Sequence, residues 1–580
     1  MSRQNAGLGI SPSNEKPSSN DVEAAQQGVR AESYNVQLAE ATEALERDMT
    51  FGQALKADRR LIWYSIGFSG TIIMEGYGLA LITYLFTLNE FNKKFGELKP
   101  DAAGGPPKYD VEYIYKALLP LTAQFGSLIG LAITPALTKW LGYKYTTLVM
   151  LAASGLLVCT PFFAPNMKVL LAGFMLQGIP WGVFQVVSPA YASEISTVQL
   201  RPILTTWNNL CWVIGQFVAA AILKGFEDVK SDMGFRIPFS FQWIFSTALF
   251  FVILFAPESP YSHLQKKNTP LARKAIVKLV RKGNVELAEA KLALMQHTLH
   301  QEEKQGNAGS GEQNRWQRFT QTLRGSDRKR TEIACITWLI QAMCGSSLIS
   351  WAPKLFESAG LSASAALSVN IALPAAGLVG TLLSWWLMHY MGRRSIYLYG
   401  LLAMAVLLTG CGCASFAPGS TSGWAAGGIL TVYTLVYDLT VGPICYSIVA
   451  EIPSIRHRAA TLSAARGTYL AANLVNHFLT PKMVDKGEGA WGLGAKTGFV
   501  YAALCLLGAV YTWGRIPETN GLSTRSLDIL FQHGASAREF SNAKAAEFER
   551  EERERAAELR RQTSKTSFLS VNAVSTKVQQ

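Results

Sequence analysis

Two long apolar regions alternate with polar segments along the chain. Each region divides into six runs of about 20 residues, the length that crosses a bilayer as a helix. The runs lie near 61–88, 113–138, 146–165, 168–192, 203–225 and 237–257, and then near 332–352, 366–389, 395–417, 424–450, 459–482 and 496–515. This pattern predicts an all-α membrane protein with twelve transmembrane spans, which we number 1 to 12.

The same pattern predicts five segments in the chain. They are a disordered cytoplasmic N-terminus (1–58), an N-terminal six-helix bundle (59–257), a cytoplasmic linker with amphipathic helices (258–331), a C-terminal six-helix bundle (332–515) and a cytoplasmic tail (516–580). In the linker, apolar residues at helical spacing are surrounded by Lys and Arg, which is typical of a helix lying along a surface.

Charged residues are scarce and unevenly distributed. The 580 residues are 49% hydrophobic and 16% charged, whereas a soluble protein carries roughly a quarter charged residues. The net charge is +13, and residues 258–331 hold 15 Lys and Arg against 7 Asp and Glu. Because basic loops stay on the cytoplasmic side of a membrane, we expect the linker and both termini to be cytoplasmic. This distribution argues against nucleic acid as a partner.

Three short patterns occur twice, at offsets of 250, 257 and 260 residues. Gly142-Tyr143-Lys144 is matched by Gly392-Arg393-Arg394, Glu194 with Arg201 by Glu451 with Arg458, and Pro257-Glu258-Ser259 by Pro517-Glu518-Thr519. A repeat with the same order and topology predicts two pseudo-symmetric six-helix bundles, related by an axis along the membrane normal.

Each repeated pattern places Arg or Lys near a carboxylate at the cytoplasmic end of a span. We expect a gate there, in which charge-assisted hydrogen bonds hold the two halves together when the inner side is closed. The candidate gate residues are Glu194, Arg201, Glu258, Arg393, Arg394, Glu451, Arg458 and Glu518. The alternative is that the basic residues act only as topology signals, a role that needs no matched glutamates.

Longer motifs relate the chain to a known family. They include Met74-Glu75-Gly76-Tyr77, Gly178-Ile179-Pro180-Trp181-Gly182-Val183-Phe184-Gln185, Tyr191-Ala192-Ser193-Glu194-Ile195, Val441-Gly442-Pro443-Ile444-Cys445-Tyr446 and Gly494-Ala495-Lys496-Thr497-Gly498-Phe499. Over roughly residues 50 to 530 the chain resembles the fungal maltose/α-glucoside branch of sugar porters in the major facilitator superfamily. The resemblance implies a plasma-membrane carrier that moves a sugar by alternating access, commonly together with a proton.

Three charged residues lie inside predicted spans, where a charge is costly and marks a function or a buried partner. They are Glu75 in span 1, Asp438 in span 10 and Arg466 in span 11. The resemblance places Glu75 among the acids used for proton coupling and Arg466 where the family also has arginine. The alternative is a permanent ion pair or a hydrogen-bonded carboxyl that never titrates.

Two departures from the family pattern bear on proton coupling. The family has Asp after Gly-Tyr in span 1, where this chain has Gly78, and many members have Glu after Ala-Gly in span 4, where it has Phe174. With two of three expected acids missing, fewer groups bind and release a proton in step with the sugar. We therefore expect weak or absent proton coupling.

Polar and aromatic residues at membrane depth are candidates for binding a sugar, because a pyranose presents hydroxyl groups and an apolar CH face. They are Gln177, Trp181, Gln185, Gln341, Ser347, Tyr446, Asn473 and Asn476. The first three recur at four-residue spacing along span 4, and the resemblance implies the roles of Gln341, Ser347 and Tyr446. The family has a second Gln where this chain has Ala342, and Asn where it has Ser347. The alternative for each candidate is a hydrogen bond that only holds helices together.

Cysteine and histidine offer no catalytic constellation. The eight cysteines lie in or near predicted spans, where small packing side chains are their expected role. Cys411 and Cys413 have metal-like spacing, but of the histidines only His477 is predicted to be embedded, so no ligand cluster accompanies them. We expect a non-enzymatic protein with no cofactor and no metal.

The sequence therefore predicts a sugar transporter for an α-glucoside or hexose-like substrate, and two alternatives stay open. One is a carrier for a non-sugar polar metabolite, including an exporter, and the other is a sugar sensor without transport. The expected partners are a small sugar or polyol, membrane lipid and, if coupling survives, protons. We expect a monomer.

Overall fold

The computed structural model describes residues 51–99, 108–197, 200–280, 285–307, 325–418, 420–454, 458–485 and 489–548 except 521 and 523, together with the isolated residues 38, 41, 42, 550, 551 and 554. Of the terminus predicted to be disordered (1–58), residues Phe51–Ala57 form a helix, and most of the remainder lies outside the described residues.

The described residues form twelve helices at the positions predicted for the spans, six on each side of the linker. Spans 1 to 6 are Arg59–Thr87, Tyr113–Leu141, Tyr143–Phe162, Met167–Ile195, Ile203–Gly225 and Met233–Phe255. Spans 7 to 12 are Asp327–Ser350, Ala363–Tyr390, Arg393–Ala414, Thr421–Glu451, Arg458–Val484 and Gly494–Arg515. Buried apolar side chains form one core in each half. The predicted all-α fold with twelve helices is confirmed.

Span 11 differs from the other spans in polarity. The eleven others are long and apolar enough to cross a membrane, as judged over the described residues. Span 11 is 27 residues long but carries Arg466, Asn473, Asn476 and His477. Asn476 is 3% exposed, so its amide faces protein, where polar side chains in a membrane find partners. The low hydropathy of span 11 follows from its position against the interior.

Spans 7 and 10 are both broken near their middle. In span 7 the helix stops at Met343, and Gly345 adopts a left-handed φ of 102° before the helix restarts at Ser346. In span 10 the break is at Thr440, because Pro443 has no N–H to donate to the carbonyl four residues earlier.

Side chains satisfy the backbone groups around these breaks. The Tyr433 hydroxyl donates to the Cys344 carbonyl at 2.9 Å, and the Gln341 amide donates to the Gly442 carbonyl at 3.0 Å. Non-helical backbone at membrane depth requires such partners, because no water is present to supply them. The second bond joins the two broken spans to each other.

The linker helices lie at one end of the bundle, which we call the linker end; we call the opposite end the distal end. The linker contains the helices Pro260–Gln265, Thr269–Leu279 and Val285–Asn307. Its Lys291 pairs with Asp58 at 2.8 Å. At the linker end the helix Thr524–Gln532 joins span 7 through an Arg330–Asp528 pair at 2.5 Å.

At the distal end, the loop between spans 1 and 2 folds back on itself. It forms the helix Asn89–Phe95 and an antiparallel pair of strands, β1 (Glu97–Lys99) and β2 (Lys108–Asp110), in which Leu98 lies opposite Tyr109. The strand pair brings Asp110 to the start of span 2.

Glycines allow two pairs of spans to come into backbone contact. A Cβ atom at Gly178 of span 4 would overlap the Ala123 carbonyl of span 2, and one at Gly126 would overlap the Met175 carbonyl. A Cβ atom at Gly215 of span 5 would likewise overlap span 1. Small residues permit this close approach, on which helix association in membranes depends.

We predict that Gly178→Val destabilises the folded carrier by about 1–3 kcal/mol or prevents its folding, because the span 2 backbone cannot move aside. The matched control is Gly428→Val, since a Cβ atom at Gly428 meets no atom within 4 Å. Size-exclusion profiles and thermal unfolding midpoints in detergent measure the effect. Equal midpoints for the two variants would contradict this account.

Candidate functional site

A carboxyl, an amide and a guanidinium form a chain of hydrogen bonds between the two halves. The Gln185 amide nitrogen of span 4 donates to the Glu75 carboxylate of span 1. Arg466 of span 11 donates from Nε to the Gln185 amide oxygen at 3.0 Å. Glu75 and Gln185 are 4% and 7% exposed. The amide thus connects a buried carboxylate of the N-terminal half to a cation of the C-terminal half.

Aromatic rings hold the Arg466 guanidinium on its other side. It lies 4.9 Å from the ring centre of Trp338 and 4.5 Å from that of Tyr469, within the range of cation–π attraction. Trp338 also contacts Tyr446 and Tyr469 edge-to-face, with 4.8 Å between ring centres in each pair. The predicted residue Tyr446 therefore belongs to an aromatic wall beside Arg466.

In the Gln341 side chain of span 7, the amide nitrogen makes a hydrogen bond and, within the described part of the chain, the amide oxygen makes none. Its amide nitrogen is held by the Gly442 carbonyl, while its amide oxygen is buried without a hydrogen-bond partner among the described residues. A buried acceptor of this kind is costly unless a ligand or water supplies a donor. The arrangement aims one fixed acceptor into the interior of the protein.

The predicted residues Ser347 and Asn476 belong to a network of hydroxyl and amide groups. The Ser347 hydroxyl donates to the Tyr501 hydroxyl at 2.9 Å, and the Tyr501 hydroxyl donates to the Asn476 amide oxygen at 3.2 Å. Thr480 lies 2.8 Å from the Tyr501 hydroxyl, and Asn476 donates to the Ala342 carbonyl at 2.7 Å. Both residues thus tie span 11 to spans 7 and 12 in this conformation.

Gln177 lies apart from the Gln185 chain, whereas Asn473 lies next to a ring that contacts Arg466. The Gln177 amide donates to Ser154 at 2.6 Å and to Gln242 at 3.0 Å, which ties span 4 to spans 3 and 6 within the N-terminal half. Asn473 is half-buried beside Tyr469. The structure therefore brings Gln185, Arg466 and Glu75 together but leaves Gln177 elsewhere.

Aromatic side chains fill the space around the two positions where the family has acids. A Cβ atom at Gly78 would overlap the Trp181 indole, which is fully buried. Phe174 is also fully buried and packs edge-to-face on Phe239 at 5.8 Å between ring centres. Neither position has room for a hydrated carboxylate.

Trp181, a candidate from the sequence, and two residues that the sequence did not single out also have buried polar atoms without partners in the portion of the chain that the structure describes. Among the described residues, the indole nitrogens of Trp181 and Trp351 and both amide atoms of Asn370 make no hydrogen bond. Asn370 of span 8 faces the Tyr84 hydroxyl of span 1. A polar residue in mid-span was the available signal for Asn370, and the spacing with Gln177 and Gln185 was the signal for Trp181, whereas Trp351 had no such signal.

Asp438 of span 10 meets the N-terminal half at a second point. It accepts a hydrogen bond from the Asn209 amide of span 5 at 3.0 Å, and Asn209 also lies 3.4 Å from the Thr381 hydroxyl of span 8. Asp438 is 3% exposed. Glu75 and Asp438 thus occupy different contacts between the halves.

The repeated glutamates at the linker end cap helices of their own half. Glu258 accepts the backbone N–H groups of Tyr143 and Lys144 at 2.8 and 3.1 Å, at the start of span 3. Glu518 accepts the N–H of Arg393 at 2.8 Å, at the start of span 9. A carboxylate stabilises a helix N-terminus, where free N–H groups point outward. Burial raises the pKa of Glu258, although these N–H groups oppose the shift.

The rest of the candidate gate follows the same symmetry. The Lys144 ammonium donates to the Leu254 carbonyl and Arg394 to the Trp513 carbonyl, each at 2.7 Å.

Further contacts of the repeated acids stay within a half. Glu194 accepts from the Tyr143 hydroxyl at 2.6 Å, and Glu451 lies 3.5 Å from the Arg393 guanidinium. The side chains of Arg201 and Arg458 lie outside the described residues, so the gate between the halves stays a prediction.

An ion cluster joins the two halves at the distal end. Lys116 of span 2 is fully buried and pairs with Asp485, after span 11, at 2.5 Å and with Asp110 at 2.8 Å. Lys354 reaches Asp110 at 3.4 Å and Glu357 at 3.1 Å. Burial by itself lowers the pKa of Lys354, but the carboxylates of Glu357 and Asp110 outweigh burial and raise it.

The twelve helices in two similar halves, with a buried polar cluster between them, define a membrane carrier. The family model described as "Sugar (and other) transporter" matches residues 65–531. The general alpha-glucoside permease of Saccharomyces cerevisiae is 33% identical over 506 residues, covering 86% of this chain and 79% of that protein. The maltose permease MAL31 of the same yeast is 32% identical over 521 residues, covering 88% and 82%.

Solved structures show the same fold. The partially occluded inward-open xylose transporter XylE from E. coli has a TM-score of 0.63 at 19% identity, covering 80% of this chain and 99% of that one. The chain belongs to the sugar transporter family. It is a multi-pass membrane transporter and not an enzyme, as the sequence predicted.

We predict that Gly78→Asp lowers the yield of folded protein, because the new side chain and the Trp181 indole need the same space. Adding Trp181→Ala to Gly78→Asp removes the overlap and is expected to recover part of the yield. Size-exclusion profiles of the two variants make the comparison. A single Gly78→Asp variant with wild-type yield would show that the two side chains do not compete.

Lys116→Met is predicted to destabilise the closed distal end by about 3–5 kcal/mol, because it leaves two carboxylates without their buried cation. The charge swap Lys116→Asp with Asp485→Lys is expected to recover part of this loss. Lys94→Met is the control, since its pair with Asp232 at 3.2 Å is exposed and within one half. Thermal unfolding midpoints give the result, and a swap as unstable as the single variant would speak against the pairing.

Proposed function

We propose that the chain carries a sugar of the α-glucoside class across the plasma membrane by alternating access. The observation that supports it is the buried polar chain of Glu75, Gln185 and Arg466 between the two halves, with an aromatic wall beside Arg466. The permeases named above for alpha-glucosides and maltose, which cover most of this chain, support the same substrate class.

The site offers both kinds of contact that a sugar needs. The Gln341 amide oxygen is an acceptor for a sugar hydroxyl, and the indole nitrogen of Trp181 is a donor for a sugar oxygen. The faces of Trp338 and Tyr446 suit the apolar CH side of a pyranose. With Ser347 in place of a family Asn, the site has one amide fewer, so a small α-glucoside fits this donor set better than a long oligosaccharide.

Two sets of contacts between the halves form and break during the cycle. The bond from Arg466 to Gln185 closes the centre, and the Lys116–Asp485 pair closes the distal end. Opening the distal end requires the second set to separate, while the sugar replaces bonds of the first set. A substrate that compensates lost contacts in this way shifts the balance between conformations.

The carrier does not couple to protons through Gly78 of span 1 and Phe174 of span 4, the positions at which the resemblance implies acids. Gly78 and Phe174 carry no acid, and aromatic rings occupy the neighbouring space. Glu75 is engaged with Gln185 and, through it, with Arg466. These contacts suit a fixed charge that organises the site.

The distribution of charge and of exposed apolar side chains sets how the carrier lies in the membrane. We place the linker end and both termini in the cytoplasm, because basic residues concentrate in the linker. The exposed apolar side chains along the spans contact lipid, and the carrier works as a monomer.

We predict that Gln341→Ala raises the KM for the transported sugar about fivefold, because one hydrogen bond of about 1 kcal/mol is lost. Radiolabelled uptake is measured in a transporter-deficient yeast over a panel of glucosides, hexoses and polyols. Gln265→Ala, an exposed glutamine of the linker, serves as the matched control.

The same panel separates the alternatives. Uptake of no sugar, together with efflux of another polar metabolite, would replace the proposal by an exporter. Sugar-dependent signalling without flux would replace it by a sensor. An unchanged KM in Gln341→Ala would remove Gln341 from the binding site.

A further inference from the structure

Asp438 is a carboxyl at a dry contact between the two halves. It is 3% exposed, and its hydrogen-bond donor is the neutral amide of Asn209 at 3.0 Å. Its second carboxylate oxygen faces Gly377 of span 8, where a Cβ atom would come within 2.5 Å of it. The tight fit leaves no space for a hydrated counter-ion.

The described groups that lie beside Asp438 on spans 5, 8 and 10 are neutral. They are Asn209 and Val213 of span 5, Thr381 and Gly377 of span 8, and Tyr437 and Gly442 of span 10. Among these described neighbours Tyr437 is the one titratable group, and none is a cation. A buried carboxylate with no cation beside it is costly, and it lowers that cost by binding a proton.

Glu75 is in the opposite situation. Its carboxylate accepts a hydrogen bond from Gln185, which in turn accepts one from the Arg466 guanidinium. A cation thus lies one amide away from Glu75, whereas Asp438 has no cation among its described neighbours. The two mid-span acids are therefore not equivalent, and Asp438 is the one whose charge is uncompensated.

The position of Asp438 links its protonation to the conformation of the carrier. Asn209 belongs to the N-terminal half, whereas Asp438 and Thr381 belong to the C-terminal half. When the halves move apart at this contact, water reaches the carboxyl and supports its ionised form. When the contact closes again, the ionised form loses both water and any cation.

We propose that Asp438 is a proton-binding site of the transport cycle, which takes up a proton when the contact of spans 5, 8 and 10 closes and releases it when the contact opens. The proton comes from the water that reaches the open contact and returns to water when the contact opens again. This site supplies a titrating carboxyl in a third position, in place of the acids absent at Gly78 and Phe174, and it replaces the expectation of weak or absent coupling that those two positions suggested. The link to sugar flux rests on the proposed function, but proton binding itself does not.

The first experiment needs no substrate. Infrared difference spectra of the purified full-length carrier in lipid are recorded between about pH 5 and 8, the range in which most proteins are stable. We expect the C=O band of a protonated carboxyl to titrate in the wild type and in Glu75→Gln and to be absent in Asp438→Asn. Asn209→Ala keeps the carboxyl and is expected to keep the band with a changed midpoint. A titrating band that persists in Asp438→Asn, or that disappears in Glu75→Gln, would overturn the assignment.

The second experiment connects the site to transport. Sugar uptake is expected to rise with external acidity in the wild type by a factor of about five or more, the usual size of a coupling between two sites. Asp438→Asn is expected to remove that dependence, and Asp228→Asn, in an exposed distal loop, to keep it. Uptake that is equally pH-dependent in Asp438→Asn would refute the role in coupling. A titrating band without any sugar uptake would instead mean that the proposed substrate is wrong and the proton site is right.

Discussion

The cost of an unpartnered polar group in a membrane governs how this molecule is built. A helix in lipid satisfies its own backbone, but each polar side chain must find a partner within the protein or a ligand. The chain therefore gathers its mid-span charges at the contacts between the halves, where Glu75, Gln185 and Arg466 bond to one another. In the proposed transport cycle the same contacts open and close when a solute crosses. The proposed binding site and the moving interface coincide for this physical reason.

The two halves share a helix-capping interaction as well as a topology. In each half a glutamate after the sixth helix caps the N-terminus of the third, with Glu258 serving span 3 and Glu518 serving span 9. A glycine stands at each contact because a Cβ atom there would overlap the carboxylate. These bonds tie the third helix of each half to the end of its sixth. Ion pairs such as Lys116 with Asp485 then bias which end is closed.

At Gly78 and Phe174, where the resemblance implies acids, aromatic packing and a proton-coupling carboxylate would need the same space. Trp181 occupies the volume beside Gly78, and Phe174 packs against Phe239. Aromatic burial strengthens the contact of spans 1, 4 and 6, but it removes two places for a titrating acid. Asp438 lies outside this region, between spans 5, 8 and 10, where the neighbouring side chains are small or neutral. The distribution of acids thus follows from how tightly each contact is packed.

The sequence by itself determined the number of helices, their pairing into two similar halves and the family, because the length of apolar runs and short motifs are local properties. It also found Glu75, Arg466 and Asp438, since any charge inside a span needs a reason. Which polar residues meet was decided only by the tertiary structure. Gln177 and Gln185 are eight residues apart, a rotation of about 80° around the helix, so one bonds within its half and the other reaches Arg466. The spacing along span 4 fixes the direction in which each side chain points. The residue that it meets is set by tertiary packing, because Arg466 is 281 residues away from Gln185 in the chain.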